Sequence, residues 1–384
     1  MILALLSISL AIALAALVLA LANLRRIGPA PSSPGPGEVL VSICVPARNE
    51  EANLEACVRS LLAQSHSRIE VLVYDDESTD GTPAILGRLV ADDARVRRVA
   101  TSPLPSEWNG KQWGCDRMGR AALGEWILFT DADVRFARAC IGRTLAEALR
   151  GRDGPPCALV STVPRQVVGS LGEAVIVPLI HFILLSYLPV GRMRGTGDPA
   201  ASAGCGQFLF VRRDAWLAVG GHSSFKGSMH DGVKLPRLLR SAGWGTDLFD
   251  GTELASCRMY RGFRATWRGF AKNAYEGLGS AGLLVVLTLL HLVGHVFPWI
   301  FLAWAFVARG ASAMEVALAT GAIAAAWAER LLLARRFRHP LASAALHPVG
   351  IVLMTAIQWH GAMLHLTGRR SWKGRTAHVA RGAA

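Results

Sequence analysis

The stretch Trp126-Ile127-Leu128-Phe129-Thr130-Asp131-Ala132-Asp133 decides how this chain reads. Five apolar or β-prone residues make a short buried strand, which runs directly into two carboxylates spaced i, i+2. Similar arrangements lie upstream. Val41-Ser42-Ile43-Cys44-Val45 is a strand stopped by Pro46, and Ala47-Arg48-Asn49-Glu50 follows, with Asn49 placed to cap a helix running to about Leu62. Ile69 to Tyr74 is a second strand, ending in Asp75-Asp76-Glu77-Ser78-Thr79-Asp80-Gly81-Thr82 and a further helix, and Val96 to Ala100 is a third. Strands alternating with helices predict an α/β fold, a mostly parallel sheet flanked by helices. Ligands of such sheets bind beyond the carboxyl ends of the strands. Here three strand ends carry polar clusters.

Carboxylates at i and i+2 on a strand end can place one oxygen on a divalent cation and another on a sugar or ribose hydroxyl. Mg2+ and Mn2+ favour such oxygen ligands and share them with substrate phosphates. An isolated Asp-x-Asp also occurs in solvated turns and caps, so the strand before it and the second acidic strand end carry the weight. No Gly-x-x-x-x-Gly-Lys-Ser/Thr loop and no Gly-x-Gly-x-x-Gly fingerprint is present.

Around this core the composition points to a membrane. Of 384 residues, 52% are hydrophobic and 18% charged, against about 25% charged in a soluble domain. Mean hydropathy is +0.33, which excludes a disordered chain. Residues 1–24 are apolar and long enough to span a bilayer. No positive charge precedes them and Arg25-Arg26 follows, which favours a retained anchor over a cleaved signal peptide, with the chain continuing in the cytoplasm. The Pro-rich residues 25–39 read as an extended linker. Residues 40–280 form the catalytic domain, 281–367 hold three more apolar stretches (281–307, 312–333 and 345–366), and 368–384 are a basic tail. Three full crossings would put the tail opposite the first basic cluster, so the number of crossings stays open. Residues 174–190, apolar but holding Pro178, His181 and Pro189, read either as an interfacial segment or as a buried core helix. The seven cysteines, an odd number without a Cys-x-x-Cys pair, indicate neither disulfides nor a zinc site.

In their order, Val45-Pro46-Ala47-Arg48-Asn49-Glu50-Glu51, Tyr74-Asp75-Asp76-Glu77-Ser78-Thr79-Asp80-Gly81-Thr82 and Phe129-Thr130-Asp131-Ala132-Asp133 resemble the family 2 glycosyltransferases. The chain looks like their bacterial membrane-bound branch, related to ceramide glucosyltransferases and to hopanoid- or carotenoid-associated transferases. Trp108-Asn109-Gly110-Lys111, Gly204-Cys205-Gly206-Gln207, Gly220-Gly221-His222 and the amphipathic Met259 to Phe270 extend the likeness. The resemblance implies a GT-A-type fold, an NDP-sugar donor and inverting transfer to a lipid acceptor at the cytoplasmic membrane, with the catalytic domain in the cytoplasm. Carried over, Pro46, Arg48, Glu50, Asp75 and Asp76 hold the base and ribose, Asp131 faces the nucleotide sugar, and Asp133 binds Mg2+ or Mn2+. Lys111 is a second diphosphate contact, and Asp231 is the general base, with His230 where the branch has Glu. The family's Gln/Arg-x-x-Arg-Trp element is present only as Arg261, Arg264 and a displaced Trp267, which with Gln207 are assigned to acceptor and diphosphate.

The formal charge of +13 also raises a nucleic-acid-binding membrane protein. The arginines, however, are dispersed and flank apolar segments, which suits anionic lipid and membrane topology. A transporter would need more spans and internal repeats than are present, and the ionisable groups of the spans, His291, His295, Glu329 and His360, read as isolated. A processive polysaccharide synthase shares the catalytic core and is the alternative function. It needs an export channel and a full Gln-x-x-Arg-Trp element. Oligomeric state is not legible.

Overall fold

The computed structural model describes residues 1–151, 154–369, 371–373, 375 and 376. Arg370 and Gly374 of the basic tail, and everything after Thr376, lie outside the described residues. The chain divides into a sheet unit, built from Ile27–Val167, Val190–Arg258 and the chain from Gly368, and a helical unit, built from Met1–Arg26, Val168–Pro189 and Met259–Thr367.

The sheet unit contains ten strands that matter for the site: β1 (Val41–Ala47), β2 (Ile69–Asp75), β3 (Val96–Arg98), β4 (Trp126–Phe129), β5 (Val134–Phe136), β6 (Cys157–Ser161), β7 (Arg165–Gln166), β8 (Leu209–Arg212), β9 (Gly245–Leu248) and β10 (Ala255–Cys257). Seven form one sheet in the order β3-β2-β1-β4-β8-β6-β9, and β5-β10-β7 form a second, small one. The first four neighbours are parallel, as expected. Antiparallel β8 then separates β4 from β6, so the sheet is mixed. β8 follows a glycine-rich segment and lacks the helix–strand rhythm of the first half, and the sequence reading passed over it.

Two local expectations need correction. Pro46 does not stop β1, which continues to Ala47 with Pro46 opposite Tyr74. Cys44 O accepts from Thr130 N, so even-numbered residues of β1 face β4. That strand has ended at Phe129, and the N–H that proline lacks has no ladder partner to lose. Asn49 does not cap a helix either. It sits at a left-handed φ of 51°, and the helix begins at Leu54. Its Oδ1 accepts from Thr79 N at 2.8 Å and its N–H donates to Ser78 Oγ at 2.9 Å. Asn49 therefore ties the loop after β1 to the loop after β2.

The Pro-rich segment is packed rather than free. Gly35 N donates to Gly142 O at 2.8 Å, and Arg143 donates to Pro31 O and Ala30 O, both at 2.7 Å. Prolines bring carbonyls without N–H groups, and one guanidinium satisfies that of Pro31 together with its neighbour's.

In the helical unit four helices are long and apolar enough to cross a membrane: Ile2–Arg26, Ala281–Ala308, Ala313–Phe337 and His347–Leu366. Their contacts give their directions. Ser9 Oγ donates to Val293 O at 2.8 Å and Leu6 packs on Phe301, so the second runs antiparallel to the first. Leu6 meets Ala319 and Ala13 meets Ala322 and Ala325, so the third runs parallel to the first. His347 bonds His295 and Trp359 bonds Thr288, so the fourth opposes the second and shares the first helix's sense. Arg26, Phe337 and Leu366 therefore end helices pointing the same way.

The apolar stretch near 180 is two helices, Leu171–Ile176 and Leu179–Tyr187, broken at Pro178. It leaves the sheet unit at Val167 and returns to it at Val190, so it is not a single crossing. The ionisable groups of this unit are clustered rather than isolated. Glu329 accepts from Ser186, Arg330 donates to Pro178 O, and His181 and His339 are bonded at 3.2 Å.

The helix directions predict accessibility. In a variant otherwise free of reactive thiols, Ser33→Cys and Thr367→Cys should label with an impermeant thiol reagent from the same side of the membrane, and Gly310→Cys from the other. Opposite labelling of Ser33→Cys and Thr367→Cys contradicts the shared sense of the first and last helices.

Candidate active site

The site lies at the carboxyl ends of β1, β2 and β4. Lys111 stands at the start of the helix Gly110–Ala121, whose cap Asn109 accepts from Lys111 N at 2.9 Å. Its Nζ is 2.8 Å from Asp131 Oδ1, 3.0 Å from Asp231 Oδ2 and 3.4 Å from Gly206 O. Asp131 comes from the turn after β4, and Asp231 opens the helix Asp231–Ser241. One ammonium thus joins two carboxylates a hundred residues apart in sequence. Burial alone would lower the Lys111 pKa, but Asp131 and Asp231 outweigh it and hold the ammonium well above its usual value. Burial likewise would raise Asp231, yet Lys111, followed by His222, holds it below the ordinary carboxylate range. Asp231 is therefore ionised although nearly fully buried.

The glycines of Gly204-Cys205-Gly206 have a steric reason here. A Cβ on Gly206 would stand 2.1 Å from Asp231 Oδ1. Asp231 Oδ1 also accepts from its neighbour Gly232 N at 2.9 Å.

Asp133 lies two residues beyond Asp131. Its Oδ1 is buried with no hydrogen-bond partner among the described residues. Burial first, then Asp131 and Glu50, push its carboxyl up to about 7. A partnerless carboxylate oxygen amid other acids suits a divalent cation. No three His, Cys, Asp or Glu side chains among the described residues are grouped to hold a metal by themselves. That fits a cation held by one carboxylate together with substrate phosphates and water.

Gln207 is buried beneath this point. Its carbonyl accepts from Thr130 Oγ1 at 2.7 Å, and its Nε2 donates to Cys257 Sγ at 3.0 Å. The Cys257 thiol is also one of the groups acting on the Asp133 carboxyl, which it favours in its ionised form. The sequence reading missed this thiol, and also His222, which is wholly buried. Trp216 Nε1 donates to His222 Nδ1 at 3.1 Å, and burial lowers the imidazole to about 3. Only the Gly220-Gly221-His222 motif signalled it. All seven cysteines are free.

The other assigned residues form a second cluster. Arg48 Nη1 donates to Asp76 O and to Glu77 O and lies 3.7 Å from Asp76 Oδ2. Asp75 Oδ1 accepts from Ser78 N at 3.2 Å. Glu50 N donates to Thr82 Oγ1 at 2.8 Å, and Pro46 precedes them in β1. Arg261, Arg264 and Trp267 belong to the helical unit, where Trp267 Nε1 donates to His360 Nδ1 at 2.9 Å. Within the sheet unit the structure thus brings Lys111, Asp131 and Asp231 together, with Asp133 and Gln207 adjoining.

Residues 42–213 match the family described as Glycosyl transferase family 2. Over that stretch, a little under half of its length, the chain is similar to the family 2 glycosyltransferases. It is 25% identical over 264 residues to the 4,4'-diaponeurosporenoate glycosyltransferase of Staphylococcus haemolyticus (strain JCSC1435), a match covering 66% of each chain. It is 26% identical over 251 residues to the enzyme of the same name from Staphylococcus aureus (strain USA300), covering 62% of each. The match thus spans just under two thirds of these relatives' length. Among solved structures it resembles the mannosyltransferase PcManGT from Pyrobaculum calidifontis, in complex with GDP-Man and Mn2+, with a TM-score of 0.55 and 20% identity over 94% of this chain and 99% of that one. The chain has a GT-A-type fold with apolar helices at both ends.

The ion pair predicts a pH effect. In Lys111→Met burial is left to dominate at Asp231, so its pKa rises and the ionised form is lost at a higher pH than in the wild type. The acid limb of the pH profile of kcat/KM should move to higher pH, whereas Lys111→Arg should hold it near the wild-type position. An unchanged limb in Lys111→Met would show that Asp231 is not set by this lysine.

Proposed function

We propose that this glycosyltransferase moves a sugar from an NDP-sugar to an oxygen of a lipid-type acceptor, with inversion, at the cytoplasmic face of a membrane. The observation that carries the reading is the pair of acidic positions, Asp131 and Asp231, clamped on Lys111 beside the partnerless Asp133 Oδ1. On this reading the three acids serve as donor-side carboxylate, cation ligand and ionised base, and their proximity supports it. The Pro46, Arg48, Glu50, Asp75 and Asp76 segment holds the nucleoside, and Asp131 faces the sugar. Mg2+ or Mn2+, held by Asp133, would neutralise charge on the diphosphate as it leaves. The acceptor class follows from the staphylococcal relatives, whose names give a diaponeurosporenoate acceptor, and from the four long apolar helices. The cytoplasmic orientation rests on Arg25-Arg26 and Arg335-Arg336 at helix ends of one sense.

In the reaction, Asp231 takes the acceptor hydroxyl proton as the oxygen attacks the anomeric carbon, and the nucleoside diphosphate departs from the opposite face. Each oxygen of an ionised carboxylate has two acceptor sites, so the contacts to Lys111 and Gly232 leave room for the incoming hydroxyl. Gln207, Arg261, Arg264 and Trp267 are assigned to acceptor and leaving group by resemblance.

The "-oate" ending in the relatives' names denotes a carboxylate acceptor and supports a second reading. An ionised carboxylate needs no base and would give a glycosyl ester. Hydroxylamine cleavage of the product separates the two, since an ester is cleaved and a glycoside is not.

Membranes containing the enzyme, incubated with a panel of radiolabelled NDP-sugars and extracted for lipid, should yield a labelled glycolipid with one donor. No transfer to lipid from any NDP-sugar overturns the reading. With a hydroxyl acceptor, Asp231→Asn should retain donor binding and lose transfer by roughly 10²–10⁴-fold. EDTA should abolish transfer by the wild type, and Asp133→Ala should be inactive though expressed. Full activity in excess chelator rules out the cation at Asp133.

A further inference from the structure

The five lysines of the chain are Lys111, Lys226, Lys234, Lys272 and Lys373. The sequence reading gave Lys111 to the donor diphosphate, but its ammonium is committed to two carboxylates and a carbonyl. A diphosphate entering beside Asp133 still needs neutralising charge beyond one divalent cation. The structure brings another lysine, from the far end of the chain, onto the loop after β1.

After the last apolar helix the chain returns to the sheet unit. Ser371–Trp372 and Arg375–Thr376 pair antiparallel, with Lys373 in the turn at a left-handed φ of 46°. That turn addresses the loop after β1 through three contacts. Lys373 Nζ lies 2.8 Å from Glu50 Oε1 and donates to Asn49 O at 3.3 Å, while Arg48 Nε donates to Lys373 O at 3.2 Å. These are the residues assigned to the nucleoside. Glu50 is also one of the acids acting electrostatically on Asp133, so Lys373 pairs with a carboxylate that the proposed cation site feels. The side chain remains 38% exposed, against 14% for Glu50. Because Lys373 itself is partly exposed, its ammonium can exchange Glu50 for an entering phosphate oxygen, with which it forms the same kind of charge-assisted hydrogen bond.

The geometry points to Lys373 as a donor-binding residue, carried by the C-terminal hairpin, which rests on Glu50 without donor and binds the donor diphosphate when it enters. This rests on the donor-site reading above and extends it from the N-terminal half of the chain to its end. Arg48 has two tasks in this arrangement. Its Nη1 holds the loop after β2, and its Nε holds the hairpin backbone.

The test uses the full chain in detergent with Mn2+, and UDP, GDP, UMP and GMP as probes. For the wild type and for Lys373→Ala and Lys373→Arg, affinities are measured by calorimetry. Loss of one charge-assisted contact predicts that Lys373→Ala weakens the preferred diphosphate by roughly tenfold to a hundredfold. The matching monophosphate should change by less, and Lys373→Arg should stay near the wild type. Equal affinities of wild type and Lys373→Ala for the diphosphate overturn the proposal. So does tighter binding by Lys373→Ala, which would make the hairpin an obstruction. An equal loss for monophosphate and diphosphate also overturns it, because it would locate the contact away from the terminal phosphate. A wild type that binds no probe, in contrast, refutes the donor-site reading itself and this proposal with it.

Discussion

Lys111 between Asp131 and Asp231 is the contact on which the site depends. Three elements distant in sequence converge on one ammonium: the helix after Asn109, the turn after β4 and the helix opened by Asp231. Each contact near 3 Å represents roughly 5 kcal/mol of gross Coulomb attraction at an effective dielectric near 20, before desolvation is subtracted. Without the cation, the buried Asp231 would bind a proton rather than lose its hydration, and a protonated acid is no base. The same ammonium that assembles the site therefore keeps it ionised. The cost is that Lys111 is no longer a free charge for the donor.

The nucleoside end is organised differently. The loops after β1 and β2 are laced by backbone-to-side-chain hydrogen bonds, among them Asn49 to Ser78 and Thr79, Glu50 to Thr82, and Glu51 to Asp80 and Gly81. Short polar side chains here replace the helix cap that Asn49 was expected to supply. Such a lattice fixes the loops without a donor present, so binding does not have to order them. The second cluster is thus rigid by local bonding, and the first by long-range charge.

Much of this was legible in the sequence because its signals are local. Strands β1, β2 and β4 and their acidic ends are contiguous patterns, and the family resemblance rested on those same residues. What was not legible is non-local. Antiparallel β8 is four residues long and acquires its meaning only by pairing with both β4 and β6. Pro46 reads as a strand terminator by rule, and only the early end of β4 makes it harmless. Cys257 comes near Asp133 because β10 pairs with β5, in the register that sets Cys257 opposite Val134. A lone cysteine in a short strand gives no sign of that. The roles of Lys111 and Lys373 depend on which carboxylate each one reaches, which no spacing in the chain encodes.

The crossing count left open by the sequence turns on helix direction rather than helix number. Counting apolar stretches as successive full crossings puts Arg335-Arg336 and Arg369 on opposite sides, against the tendency of cationic residues to share one face. In the structure the third and fourth long helices run in the same sense, because Phe337 stacks on His181 and His339 bonds it, while His347 bonds His295. The connection between them therefore folds back along the bundle before the last helix begins. That turn needs polar groups in the helix interior, since backbone there cannot be left to lipid. Arg330 supplies them, donating to Pro178 O at the break in one segment and to Ser343 O in the connection. The buried arginine and histidines thus have a structural reason to sit in an apolar bundle. With the conflict removed, Arg25-Arg26, Arg335-Arg336 and Arg369 all lie at or just beyond the ends of helices of one sense, the pattern that the proposed membrane orientation calls for.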